Sequence, residues 1–155
     1  TFFLNLSNPT NATLSDAQGQ GTIVNDDSPV QIPTLSVDDV TLVEGNAGTT
    51  NAVFTVTLSA PSQQPVTVNY ATADGTGTSG SDYTPTSGQL AFNAGETSKT
   101  VAVAVLGDTI VESDETFFLN LSNPTNATLS DAQGQGTIVN DDSPVPIPTL
   151  GGWAT

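Results

Sequence analysis

The chain has 155 residues, with 16 acidic side chains against one basic residue, Lys99, and no histidine, for a formal net charge of −15. That balance excludes nucleic acid and anionic lipid as partners, because both are held through Lys and Arg. Cysteine and methionine are absent, so disulfides and thiol chemistry are excluded too, and no run approaches the roughly 20 apolar residues that would insert into a bilayer.

The first element in chain order is also a repeat. Thr1 to Leu35 recurs at Thr116 to Leu150, an offset of 115 residues, and the two copies differ only where Gln31 is replaced by Pro146. That period is the length of one sandwich domain with its linker, well above the periods of solenoids. Residues 1–27 therefore read as the last two strands of a preceding copy. Residues 28–35 read as a short, proline-flanked linker, 36–142 as one complete domain and 143–155 as a proline-rich linker or tail. The opening lacks a methionine and falls in mid-pattern, which implies a processed chain or a slice of a longer one.

Within 36–142 the pattern is one of short alternating segments separated by Gly, Pro, Asn, Asp and Ser clusters, the signature of an all-β sandwich. Seven strands are predicted: Leu35 to Val43, Ala52 to Ser59, Val66 to Ala73, Gly88 to Phe92, Lys99 to Leu106, Thr116 to Leu121 and Gly134 to Val139. In the second, Phe54, Val56 and Leu58 fall on one face and Val53, Thr55 and Thr57 on the other, the period of a half-buried strand. Phe117, Leu119 and Leu121 repeat that spacing. Asp74-Gly75 and Asn93-Ala94-Gly95 form turns, while Pro61, Pro65 and Pro124 are expected outside central strands. The fold class is a seven-stranded antiparallel immunoglobulin-like sandwich.

Carboxylates gather at the strand ends: Glu44, Asp82, the run Asp108, Glu112, Asp114 and Glu115, and Asp141 with Asp142. In an antiparallel sandwich those junctions tend to share one end, where these carboxylates without a cation would repel. Ca2+ takes six to eight oxygens from carboxylates and carbonyls and would suit such a pole. The same residues would also serve as solvated turns, kept acidic for solubility, and spacing leaves both readings open. Enzymatic chemistry is not expected. There is no histidine, no cysteine and no convincing Ser/Lys pair for a nucleophile, and the acids lack the aromatic platform of a sugar groove.

The blocks VEGNAGTTNAVFTVTLSAP, YATADGTGTSGSDYT, GQLAFNAGETSKTVAVAVLGDTIVESDETFFLNLSNP and GTIVNDD, in that order, resemble the Calx-beta domain over about Ser36 to Asp142. The resemblance implies calcium ligation by Glu44, Asp82, Asp108, Glu112, Glu115, Asp141 and Asp142, with a backbone carbonyl at Ile110. Asn140 stands where a further aspartate can occur, and Gly107 and Thr109 flank Asp108 in place of further acids, so roughly one to three ions per complete domain are expected. Pro146 to Trp153, PIPTLGGW, is similar to a bacterial IPTL-type sorting signal, although Ile32 to Leu35 carries the same four letters inside the chain.

The expected role is structural: a calcium-binding bead in an extracellular bacterial adhesin or surface fibre. Its partners would be neighbouring copies of the repeat, in a covalent array or in a filament assembled through residues 1–27. The alternative implied by the same family is a calcium-sensing regulatory domain.

Overall fold

The computed structural model describes residues 1–27 and 31–144, and the tail likened to a sorting signal lies outside them. The chain divides into two units, Thr1–Val30 and Gln31–Thr155. All regular structure among the described residues is β.

The first unit is a hairpin of β1 (Phe2–Asn5) and β2 (Gln18–Gly21), paired antiparallel with Phe2 opposite Gly21 and Asn5 opposite Gln18. The second unit holds β3 (Thr34–Val37), β4 (Val40–Val43), β5 (Thr49–Leu58), β6 (Val66–Asp74), β7 (Ser87–Phe92), β8 (Ser98–Leu106), β9 (Glu115–Thr125), β10 (Thr128–Leu129) and β11 (Gln133–Val139). These form a four-stranded sheet in the order β10-β3-β5-β8 and a five-stranded sheet in the order β4-β11-β9-β6-β7.

Alternation along the strands builds the core between the sheets. Ala52, Phe54, Val56 and Leu58 of β5 and Val101, Val103 and Val105 of β8 are buried from one side. Val66, Val68, Phe92, Phe117, Leu119, Leu121 and Ile138 close on them from the other. At the centre Phe54 meets Phe117 edge-on, with ring centroids 5.8 Å apart. Tyr83 stacks on the other side of Phe117 at 4.6 Å. The Phe117 ring also lies over Gly136, its cross-strand partner, where any Cβ would come within 2.4 Å of it.

The sandwich departs from the sequence-based expectation at three points. The single strand expected over Leu35 to Val43 is two, because Asp38 and Asp39 interrupt it and the chain passes from one sheet to the other. Asp38 Oδ1 accepts from the Thr55 N–H at 2.6 Å and Asp39 Oδ1 from the Gln135 N–H at 2.7 Å, so each aspartate ties the crossing to a different sheet. Both halves then find parallel partners, β3 with β10 and β4 with β11, which an all-antiparallel reading does not contain. Leu35, expected at the end of the linker, is wholly buried in the core.

Pro124 is the second departure, since it lies within central strand β9. The ladder with β6 shifts register between Thr67 and Asn69, and Asn123 there has φ 49°. A bulge tolerates a residue with no N–H to donate, and the β11 ladder reaches only Asn120. The third is β10, two residues long and too short to leave a periodic signal.

The two copies of the repeated segment allow a direct test of burial. Phe117→Ala should lower stability by about 3–5 kcal/mol, as for other buried phenylalanines, whereas Phe2→Ala at the equivalent exposed position should change it by less than about 0.5 kcal/mol. Urea unfolding of the two variants measures both. A comparable loss at Phe2 would contradict its exposure.

Candidate metal centre

The acidic pole is assembled from four chain segments, one of them the connection from β6 to β7 that carries Asp82. Glu44 leaves β4, the loop from β8 to β9 carries Asp108, Glu112 and Asp114 and ends at Glu115 in β9, and Asp141 and Asp142 follow β11. Parallel pairing of β4 with β11 brings the first and last of these together, with the Glu44 N–H donating to the Val139 carbonyl at 3.2 Å.

Two trios result. One oxygen each from Glu44, Asp141 and Asp142 lie within 4.8 Å of one another, and so do oxygens of Asp82, Glu112 and Glu115. Oxygens bound to one Ca2+ at about 2.4 Å can be no further apart than about 4.8 Å, so each trio has the spread of a shared ion. Asp108 belongs to neither trio but stands close enough for its charge to act on Glu44. Ile110 lies in the turn that Asp108 closes, its N–H donating to Asp108 Oδ1 at 2.6 Å.

The electrostatics of the first trio are severe. Glu44 is only 5% exposed, and its Oε1 and the Oδ2 of Asp142 are buried with no hydrogen-bond partner among the described residues. Burial pushes the Glu44 carboxyl above its usual range, and the charges of Asp108, Asp142, Glu112 and Asp141 add to the effect. The second trio is strained in the same way. Glu115 is pushed up to about 7, first by burial, then by a hydrogen bond to Asp82 and by the charges of Asp82, Glu112 and Glu44. The mutual influence of Glu44, Glu112 and Glu115 makes the two trios one continuous pole.

Surrounding groups hold the ligands in place without neutralising them. Asp141 Oδ1 accepts from the Gly45 N–H at 3.2 Å, and Asp142 Oδ1 from the Asn46 side-chain amide at 2.9 Å. Asn140 bonds the Asp142 backbone through both ends of its amide, at 3.1 and 3.4 Å, so it orders the loop where a further aspartate could stand. Gly107 is not simply an acid replaced. A Cβ there would lie 2.3 Å from the Gly45 carbonyl oxygen and 2.8 Å from that of Glu44, so the close approach of the two loops requires glycine.

Asp82 is fixed through its neighbour. Tyr83 is buried, stacks on Phe117 and donates its hydroxyl to Asp74 Oδ1 at 2.5 Å. Burial and the Asp74 carboxylate raise the phenol to about 12, so it stays protonated and keeps donating. Asp82 itself accepts the Leu106 N–H at its carbonyl and the Thr78 N–H at Oδ2, at 2.9 and 2.6 Å. The aspartate is thereby sewn to β8 on one side of a core aromatic. Neither Asn46 nor the Tyr83–Asp74 bond is foreseen by counting acids; the adjacency of Asp82 and Tyr83 in GSDYT is the only sequence trace of the latter.

A two-sheet β-sandwich whose acidic pole gathers two trios of carboxylates that could each hold a metal ion defines the class of module. The chain belongs to the Calx-beta domain family, which matches residues 26–143. Sodium/calcium exchanger 1 of Canis lupus familiaris is 37% identical over 84 residues, 54% of this chain and 7% of the exchanger. Sodium/calcium exchanger 2 of Homo sapiens is 43% identical over 67 residues, 43% of this chain and 7% of that protein. The solved apo-form Calx CBD1 domain superposes with a TM-score of 0.62 at 25% identity, covering 72% of this chain and 100% of that one. CBD12 from CALX1.2 gives a TM-score of 0.65 at 25% identity over 70% of this chain and 46% of that one. Domains of this family are non-catalytic modules. Among the described residues no helix is long and apolar enough to cross a membrane.

The raised carboxyls set the sign of a pH dependence. Glu115, pushed up to about 7, holds a proton in the fold that the unfolded chain has released, so above about pH 5 unfolding releases protons and stability falls as pH rises through about 7; the raised Glu44 carboxyl acts in the same direction. Asp74 and Glu96, whose carboxyls are lowered, are ionised in both states across that window and do not oppose the trend. Thermal melts in chelator should therefore show a lower Tm at pH 8 than at pH 5. A flat profile would contradict the burial of these two groups.

Proposed function

We propose that the domain is a calcium-binding structural bead of an extracellular bacterial adhesin or surface fibre. One observation carries the calcium assignment: two buried carboxylate oxygens, on Glu44 and Asp142, lack any donor among the described residues. The only basic side chain, Lys99, is engaged elsewhere with Glu96 at 2.8 Å. The protein supplies no side-chain cation of its own to this pole, so an ion from outside is what would neutralise it.

The donor set favours a hard cation. It consists of carboxylates with neither histidine nor cysteine, which suits Ca2+ or Mg2+ and not zinc. Ca2+ accepts irregular, oxygen-rich shells, whereas Mg2+ demands a near-ideal octahedron and keeps its waters. Glu44, Asp141 and Asp142 would hold one ion, and Asp82, Glu112 and Glu115 a second. Asp108 and the Ile110 carbonyl would complete the shells. The bound ions would cross-link the ends of β4, β9 and β11 with the long loop.

The near-identity of the repeated segment supports the structural role, since a shared fold alone tolerates many core substitutions. The likeness of PIPTLGGW to a sorting signal supports the cell surface. A second reading, calcium-sensing regulation, is favoured by the likeness to sodium/calcium exchangers. Antibody labelling of intact producing cells separates the two: surface signal supports the fibre, and its absence supports the sensor.

Calorimetric titration of chelator-treated protein with Ca2+ should show binding, and Tm should rise, because a ligand present at about 100 times its Kd stabilises the native state by roughly 2.7 kcal/mol. Glu112→Ala and Asp141→Ala, one from each trio, should each remove a separate part of the binding and of the Tm gain. Failure of the wild-type protein to bind would leave the pole a solvated surface, and unchanged affinity in both variants would refute the ligand assignment.

A further inference from the structure

The chain contains one sequence in two surroundings, and the comparison identifies what is missing from the first. Phe2, Phe3, Leu4 and Asn5 pair with Gly21, Gln20, Gly19 and Gln18, the same register as Phe117 to Asn120 with Gly136 to Gln133. The Gln18 amide donates to Asn5 Oδ1 at 2.9 Å and that of Gln133 to Asn120 Oδ1 at 2.7 Å. The Leu6 N–H donates to the Ala17 carbonyl at 2.8 Å, and the Leu121 N–H to that of Ala132 at 2.7 Å. Asn8 and Asn11 have φ of 52° and 56°, against 49° and 56° for Asn123 and Asn126. Even the aromatic-over-glycine contact is kept, with Phe2 over Gly21.

What differs is cover. Phe2, Leu4, Leu6 and Ile23 are 56%, 65%, 54% and 78% exposed, while Phe117, Leu119, Leu121 and Ile138 are 0%, 0%, 5% and 2% exposed. The second copy owes this to β6 beside β9, β4 beside β11, and the facing sheet. The first copy therefore presents two unpaired strand edges and an apolar face already shaped for a known seat, and two strands alone are marginal in water.

A second copy of this chain does not fill that seat. Each chain has two such hairpins and one place for a hairpin, already occupied by its own 115–139. Exchange between copies swaps one hairpin for its twin and leaves the number of uncovered hairpins unchanged. The partner must be a sheet whose last hairpin is lacking. We infer that residues 1–27 complete a Calx-beta sandwich whose other strands come from a preceding segment of the same polypeptide resembling residues 31–115, with β1 seated beside a strand like β6 and β2 beside one like β4.

This deepens the tandem-repeat part of the proposed function and is independent of its calcium part, so it is tested in chelator. Hydrogen exchange followed by mass spectrometry suits the case because the two hairpins yield identical peptides. The chain as it stands should give those peptides as two mass populations of equal size, one protected and one exchanged. A fusion that places a further copy of residues 31–115 directly before Thr1 should give a single protected population. Leu4→Asp in the fusion should bring the exchanged population back, while the same substitution in the parent chain should leave Tm unchanged. Two populations persisting in the fusion would overturn the inference, whether or not the added segment folds. A single protected population in the parent chain would overturn it too, by showing that the hairpin is already covered, and light scattering would then tell cover by a second copy from cover within the monomer.

Discussion

A carboxylate buried without a donor, among like charges, is the constraint around which this domain is arranged. Transferring an ionised carboxylate out of water costs several kcal/mol unless it is paired, and Glu44 sits on the backbone ladder itself, one residue past β4. Its main chain cannot move off the pole without breaking its N–H bond to Val139. Gly107, Gly45 and Asn46 bring the surrounding loops into van der Waals and hydrogen-bond contact, and thus hold the charges together. The repulsion is built into the packing, so that protons or a cation must answer it.

The aromatic centre and the acidic pole are one construction. Phe117 lies between Phe54 and Tyr83, two residues past Glu115 on the same strand. Tyr83 follows Asp82 and is locked by Asp74, the last residue of β6. Tyr83, Phe117 and the carboxylates of the second trio are therefore carried by the same pair of chain segments. Rigidity at the core is transmitted over a single residue to the pole.

The core was legible in the sequence wherever one face of a strand is dry. Phe54, Val56 and Leu58, and again Phe117, Leu119 and Leu121, recur at every second position, and the structure buries those faces. The break at Asp38-Asp39 left a trace that the single-strand expectation passed over, since apolar residues stand at odd positions, Leu35 and Val37, before it and at even ones, Val40 and Leu42, after it, but nothing local says that the two halves belong to different sheets. Only the long-range donors, the N–H groups of Thr55 and Gln135, decide that. Pro124 misled for a related reason: proline is barred from a ladder, yet a bulge beyond the reach of β11 is no longer a ladder. Among the site residues, acid counting could collect Glu44 with Asp141 and Asp142. It could not foresee that Asn46 and Tyr83 would hold the ligands, since neither carries charge.

The parallel partners have a mechanical consequence. The strand segments that open the unit, β3 and β4, pair in parallel with those that close it, β10 and β11. A pull on the two ends of the unit draws the opening strands toward their amino ends and the closing strands toward their carboxyl ends, so each pair is loaded in shear. In that geometry the hydrogen bonds of a ladder share the force and yield together, whereas an antiparallel hairpin pulled from its open end unzips one bond at a time. Both ladders, Thr34 to Leu35 with Thr128 to Leu129 and Val40 to Val43 with Gly136 to Val139, would have to slide for the two ends of the unit to separate.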